Sequence, residues 1–159
     1  MDRQTRSRMM SAVRSKDTAL EVSLRRALFR RGYRYRLHRK DLPGKPDMVF
    51  PKHHAVVFVN GCFWHCHGCR ETNIPATRRD WWQRKLDRNR KRDAAVLSEL
   101  REAGWRTVVV WECSLRASAM RREAALARVK RRIAAFFESG RHSIEIARAG
   151  TQRLRKASP

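Results

Sequence analysis

Five cysteines and histidines fall within eight consecutive residues, Cys62, His65, Cys66, His67 and Cys69, and a sixth such side chain, Cys113, stands far from them in sequence. Soft thiolates and imidazoles at this density suit a tetrahedral Zn²⁺ site. Free thiols and surface histidines fit the crowding poorly. If Cys62, Cys69 and Cys113 meet, the fold must staple a tight loop to the end of a distant strand. Zinc held in this way contributes on the order of 10 kcal/mol to the folded state. Spacing leaves the fourth ligand open: Cys66 would complete a four-cysteine site, His67 a site of three cysteines and one histidine. Four cysteines, three of them clustered, favour metal over disulfides and hence a reducing compartment.

The rest of the chain bounds the partner. Lys and Arg number 38 against 15 Asp and Glu, a formal net charge of +23 over 159 residues. The excess runs from end to end, and a field of this size draws in polyanions, of which nucleic acid is the commonest. The basic segments lack a broad apolar face beside them, so a membrane surface is not expected. Met1-Asp-Arg-Gln-Thr-Arg-Ser-Arg8 has no apolar leader and no stretch is long enough to span a bilayer. The expected location is the cytoplasm, at the nucleoid if the source is bacterial.

Periodicity predicts one α/β domain, a mixed sheet covered by helices. Residues 1–16 form a basic arm carrying Met9 and Met10. A helix is predicted from Asp17-Thr18 to Gly32, with Leu20, Leu24, Ala27 and Leu28 on its apolar side. Tyr33, Tyr35 and Leu37 alternate with Arg34 and Arg36 as in a half-buried strand. Leu42-Pro-Gly-Lys-Pro-Asp47 reads as a loop, then Met48–Phe50 and Ala55–Val59 as short strands, the second apolar enough to be central. A long helix is predicted from Thr77 to Ala103, capped by Thr77 and Asp80 and stopped by Gly104. A strand over Trp105–Trp111 and a helix from Met120 to Ser139 follow. The domain is expected over 17–140, with a basic tail, mostly disordered, over 141–159.

Several side chains could carry chemistry. Asp47, entering a strand beside one that ends in the metal-rich loop, is placed to hold Mg²⁺ against a phosphate. Glu21 closes Thr18-Ala-Leu-Glu21, a capping-box pattern, yet could equally hold metal-bound water. His65 is a zinc ligand or a proton-transfer group, its ordinary pKa suiting the second role. Phe63 and Trp64 lie inside the loop, and Trp81-Trp82 opens a helix studded with Arg78, Arg79, Arg84, Lys85, Arg88, Arg90, Lys91 and Arg92. Both of that pair cannot face the core. Rings interleaved with basic residues suit phosphate contact with stacking or wedging. His38, His53, His54 and His142 carry no partner signal.

Thr5-Arg-Ser7, Thr18-Ala-Leu-Glu21, Leu42-Pro-Gly-Lys-Pro-Asp47, Gly61-Cys-Phe-Trp-His65, Pro75-Ala-Thr-Arg78, Gly104-Trp105 and Val110-Trp-Glu-Cys113 occur in this order. Together they resemble the very short patch repair (Vsr) DNA mismatch endonucleases over about residues 5 to 116. The resemblance implies a restriction-endonuclease-like fold and a strand-specific nick beside a T:G mismatch left by deamination of 5-methylcytosine. It implies that Asp47 binds Mg²⁺ with the Val59 carbonyl, that His65 is catalytic, and that Glu21 acts through metal-bound water. It further implies a structural zinc on Cys62, His67, Cys69 and Cys113, and a wedge of Phe63, Trp64 and Trp82 pushed into the base stack. Met10 would help from the minor groove, with Arg78, Arg88 and Lys91 on the phosphates. Duplex DNA is then the partner, mismatch-repair proteins are candidate further partners, and a monomer is expected.

The chain departs from the family in two places. Val59-Asn60 stands where Thr-His is familiar, and Cys66 where a histidine is. A main-chain carbonyl serves a metal whatever side chain it bears. Asn60, counted here with the catalytic residues, can hydrogen-bond but has no proton to transfer. A zinc-stabilised protein that binds DNA without cutting it is the rival reading.

Overall fold

In a computed structural model, residues 18–37 and 39–148 are described. The basic arm with Met9 and Met10, His38, and the tail beyond residue 148 lie outside them. The elements in order are α1 (Ala19–Arg30), β1 (Met48–Phe50), β2 (Ala55–Asn60), α2 (Arg79–Glu102), β3 (Arg106–Trp111), α3 (Glu112–Leu115), α4 (Arg122–Glu138) and β4 (Ser143–Ile146). Single 3₁₀ turns cover Pro51–His53 and Ala119–Arg121.

One four-stranded sheet runs β1-β2-β3-β4. β1 is antiparallel to β2, while β2, β3 and β4 are parallel, joined by helical crossovers through α2 and through α3 and α4. This is the mixed sheet flanked by helices that the periodicity predicts. Alternate residues of each strand serve opposite faces. Met48, Phe50, Val57, Val108 and Val110 pack with Leu24 and Leu28 of α1 and with Val129, Ile133, Phe136 and Phe137 of α4. Val49 and Val56 pack with Leu100 of α2, beside Phe58 and Val96. Burial on both faces explains why β2 reads as an unbroken apolar run. Phe50, fully buried, meets Phe137 at 4.9 Å and Tyr35 at 5.6 Å between ring centroids. A side chain buried so completely contributes about 1.5–3 kcal/mol.

Local signals set the ends of α1. The Thr18 hydroxyl accepts from the Glu21 N–H at 3.3 Å, and Gly32, at φ +94°, closes the C-terminus with its N–H on the Phe29 carbonyl. The long helix is corrected at its start. α2 begins at Arg79, its N-cap is Arg78 at φ 54°, and no side chain caps it, so Thr77 and Asp80 do not form the expected pair. The expected strand over 33–37 shrinks to one bridge, Arg36 to Val49. β1 offers only three residues, and the Pro51 that follows has no N–H to extend a ladder. Tyr33 and Tyr35 still pack on the core, but Leu37 is exposed.

The boundary expected at residue 141 is also corrected, because Ser143–Ile146 pairs along β3. Arg106 makes this possible. From the start of β3 its guanidinium donates to the carbonyls of Phe137, Ser139 and Arg141 at 3.3, 2.6 and 3.0 Å. It thereby satisfies the open C-terminal end of α4 and turns the chain back to the sheet. Gly44 has a different task. At φ +70°, a Cβ there would lie 2.3 Å from Val96, so only glycine lets the 42–47 loop settle on α2.

Candidate metal centre and active site

The loop after β2 is built by its own backbone. The His67 N–H donates to the Cys62 carbonyl at 3.0 Å, and His65 to Gly61 at 3.2 Å. Cys66 and Gly68 turn the chain with φ of 51° and 80°. Thr72 locks the result: its hydroxyl donates to the Cys62 carbonyl at 3.2 Å and accepts from the Gly68 N–H at 3.1 Å. Thr72 is not itself a metal-ligating residue type, and the sequence gives no hint of this role.

These turns bring Cys62, His67 and Cys69 to Cys113, which α3 presents at the end of β3. All four side chains are buried, and their ligand atoms lie within 4.8 Å of one another. Cys62 Sγ and Cys113 Sγ lie 3.7 and 3.6 Å from His67 Nδ1. Around a tetrahedral zinc with bonds of ~2.0–2.3 Å, ligand atoms are about 3.5–3.8 Å apart, so the donor set and these two separations suit that ion. Burial pushes the Cys62 and Cys113 thiols above their ordinary range. Cys66 lies half-exposed outside the cluster. Behind the site, Trp111 stacks on the His67 ring at 4.3 Å and donates through Nε1 to Glu145 of β4 at 3.2 Å. The Glu112 carboxylate accepts from the Cys62 N–H at 3.4 Å.

The candidate catalytic residues gather on two linked sites at the same end of β2. Asp47, just before β1, accepts through Oδ2 from the Val59 N–H at 2.7 Å. Glu21 is buried and pairs with Arg25 one helical turn on, and Arg25 Nη2 approaches the Asp47 carbonyl at 3.5 Å. The capping pattern is therefore half used: the Glu21 N–H meets Thr18, while its carboxylate turns inward to Arg25. Next to Val59, Asn60 opens on a cavity of about 120 Å³ lined also by His65, Asp93, Arg92 and Gly44. His65 lies outside the thiolate cluster, and its Nδ1 is 2.5 Å from Asp93 Oδ2. Burial pushes the Asp93 carboxyl up, but the hydrogen bonds from His65 and Arg92 outweigh it and hold the group below its ordinary value. A carboxylate on one ring nitrogen leaves the other for a different partner.

Asp93 is a candidate site residue that sequence reasoning misses. A trace of it is present, because Asn89 and Asp93 are four apart on a helix otherwise crowded with arginine. They form one inward stripe: Asn89 Nδ2 donates to the Trp64 carbonyl at 3.0 Å, and Asp93 holds the next residue, His65.

The rings assemble beside this site. Phe63 meets Trp64 at 5.0 Å and Trp82 at 5.3 Å, both edge-on, and Trp81, 44% exposed, lies 4.8 Å from Trp82. The Lys85 ammonium sits 4.9–5.6 Å from the three tryptophan rings. Arg78, Arg88 and Lys91 are exposed, and Met10 lies outside the described residues. Among the described residues, no helix is long and apolar enough to cross a membrane.

The sequence profile of the family described as DNA mismatch endonuclease Vsr matches residues 1–71. The type II nicking enzyme V.XorIIP of Xanthomonas oryzae pv. oryzae is 52% identical over 107 residues, 67% of this chain and 79% of that one. The DNA mismatch endonuclease Vsr of Escherichia coli K12 is 44% identical over 115 residues, 72% of this chain and 74% of its own. The type II nicking enzyme V.NmeAIP of Neisseria meningitidis is 43% identical over 118 residues, 74% of this chain and 84% of that one.

Proposed function

The chain belongs to the Vsr family of DNA mismatch endonucleases, and from that premise we propose that it nicks one strand of duplex DNA beside a T:G mismatch, beginning very short patch repair of deaminated 5-methylcytosine. The observation that carries this reading is the His65–Asp93 pair, open to a cavity shared with Asn60 and adjoining the Asp47–Val59 contact.

In this reading Asp47 and the Val59 carbonyl are the groups that would hold Mg²⁺. A carboxylate and a main-chain oxygen suit so hard a cation. When bound, Mg²⁺ supplies charge stabilisation at the scissile phosphate. Asp93 holds the His65 ring by Nδ1, so that Nε2 moves the proton during attack of water on phosphorus. Asn60 serves as a hydrogen-bonding group at the cavity wall. Glu21 keeps its carboxylate beside Asp47 through Arg25. Cys62, His67, Cys69 and Cys113 would hold zinc, which fixes the loop carrying His65, Phe63 and Trp64.

Recognition falls to those rings together with Trp82. A wobble pair unstacks at lower cost than a matched pair, so a wedge discriminates through deformability. Arg78, Arg88 and Lys91, with the N-terminal arm and Met10, hold the flanking duplex. The domain spans 17–140 with β4 added to it, acts as a monomer in the cytoplasm, and has mismatch-repair proteins as candidate partners.

The test is a nicking assay on zinc-loaded protein with Mg²⁺, using T:G, matched and other mismatched duplexes. A single nick confined to T:G, absent in Asp47→Asn, is the expected result. Binding of T:G duplex without any nick would leave the non-catalytic DNA reader in its place.

A further inference from the structure

The outer side of α1 carries a pattern that the fold does not use. Leu24 and Leu28 go to the core, while Arg26, Phe29 and Arg30, spaced i, i+3 and i+4, share one exposed stripe. Phe29 keeps 52% of its surface open. Together with Tyr35 these side chains line a cavity of about 330 Å³. It lies at the end of the sheet away from the candidate catalytic groups. Tyr35 packs on Phe50, which pairs with Ala55 at the start of β2, and Val59 and Asn60 are about 13–17 Å further along that strand. No Asp or Glu occurs from residue 22 to residue 40, and the acids on either side, Glu21 and Asp41, are engaged by Arg25 and Arg39. Like charges one turn apart repel, so Arg26 and Arg30 weaken the helix until a carboxylate comes between them.

We propose that this stripe is a docking surface for an acidic segment of a partner protein. One bulky apolar side chain of the segment seats against Phe29 and Tyr35, and carboxylates flanking it meet Arg26 and Arg30. The surface is separate from every residue assigned to nicking. A phosphate backbone has the charge but no apolar group to fill the cavity. The Arg34 guanidinium, 4.2 Å from the centre of the Phe29 ring, covers a face on which a nucleobase would stack. The chain does not supply the occupant itself, since residues 1–17 hold only Asp2 and Asp17 as acids and residues 149–159 hold none. A second copy brings the same net charge of +23 and is repelled.

The experiment measures fluorescence anisotropy of a labelled peptide of Asp and Glu around one central Phe, added to the full zinc-loaded chain at physiological salt. A twin peptide with Ser in place of the Phe, and a single-stranded DNA, are the comparisons. Wild type should hold the Phe peptide about tenfold more tightly than its twin, and Phe29→Ser should erase that difference. Arg26→Gln with Arg30→Gln should weaken both peptides about tenfold. Arg121→Gln with Arg122→Gln, which removes the same charge from another exposed place, should weaken neither by more than about twofold. Nicking of T:G duplex should be unchanged in all three variants. Equal affinity of wild type for the two peptides, or equal losses in the two arginine variants, overturns the proposal. So does loss of single-stranded DNA binding or of nicking in a Phe29→Ser protein that melts as wild type does, which gives the face to nucleic acid. Because the two peptides are compared on wild type, the test survives even if a variant folds poorly.

Discussion

Replacement of His67 by alanine removes one corner of the Cys62–His67–Cys69–Cys113 cluster, and its consequence can be worked from the geometry. His67 Nδ1 sits 3.6–3.7 Å from two of the thiol sulfurs, which places it at one corner of the cluster. A structural zinc of this kind is worth roughly 10–16 kcal/mol, and a quarter of that is about 2.5–4 kcal/mol. At about 1.4 kcal/mol per decade, zinc affinity should fall about 10²–10³-fold. Loss of the stack on Trp111 adds roughly 0.5–1.5 kcal/mol to the cost in stability. Competition against a chromophoric chelator reads the first quantity, and thermal melting of the zinc-loaded protein reads the second. Cys66→Ser, altering a half-exposed thiol outside the cluster, should leave both nearly unchanged. Zinc lost with Cys66→Ser but kept with His67→Ala would refute the reasoning and establish four cysteines as the ligands.

Other perturbations separate the remaining roles. Asp47→Asn keeps an acceptor for the Val59 N–H but removes the charge, so nicking should vanish while T:G binding, measured by titration of labelled duplex, persists. Asp93→Asn should lower kcat by up to about 10²–10⁴-fold, the range attributed to proton transfer itself, with little change in DNA affinity. Because the Asp93 carboxyl lies below its ordinary value of 3.8 in the folded protein, its stabilisation is present above that pH and lost as pH falls through the lower folded value. The acid limb of wild-type unfolding should therefore be steeper than that of Asp93→Asn. Trp64→Ala should weaken preference for T:G over matched duplex by about 1–3 kcal/mol while sparing most general affinity; an equal weakening on both duplexes would make Trp64 a packing residue. Arg88→Ala with Lys91→Ala should shallow the log–log salt dependence of binding by about 0.9 for each phosphate left without its cation, and an unchanged slope would place the DNA elsewhere.

What can be read from residues alone is local or compositional. The density of ligands in 62–69, the two-sided apolar run of β2 and the helical period of α1 and α4 announce themselves, because each depends on neighbours within a few positions. The choice between Cys66 and His67 does not, since it turns on positive φ at Cys66 and Gly68, which swings adjacent side chains apart. Asp93 stays hidden because its partner lies in another element and its own helix reads as a basic surface. Arg25 looks like one more residue of a wet face until α1 packs it against Glu21 and the start of β1. β4 escapes for a related reason. Its four residues are polar enough to pass for tail, and they join the sheet through Arg106, a residue far back in the chain.

That last strand bears on the order in which the parts of the metal cluster come together. Asp47 and His65 leave the ribosome first, yet the loop holding His65 is completed only by Cys113. His67 is backed by Trp111, whose indole is held by Glu145 of β4. A polypeptide ending before those residues carries Asp47 and His65 without the side chains that back the loop between β2 and α2. The cluster and the side chains that back it are therefore complete only once residues 113 and 145 are both in place.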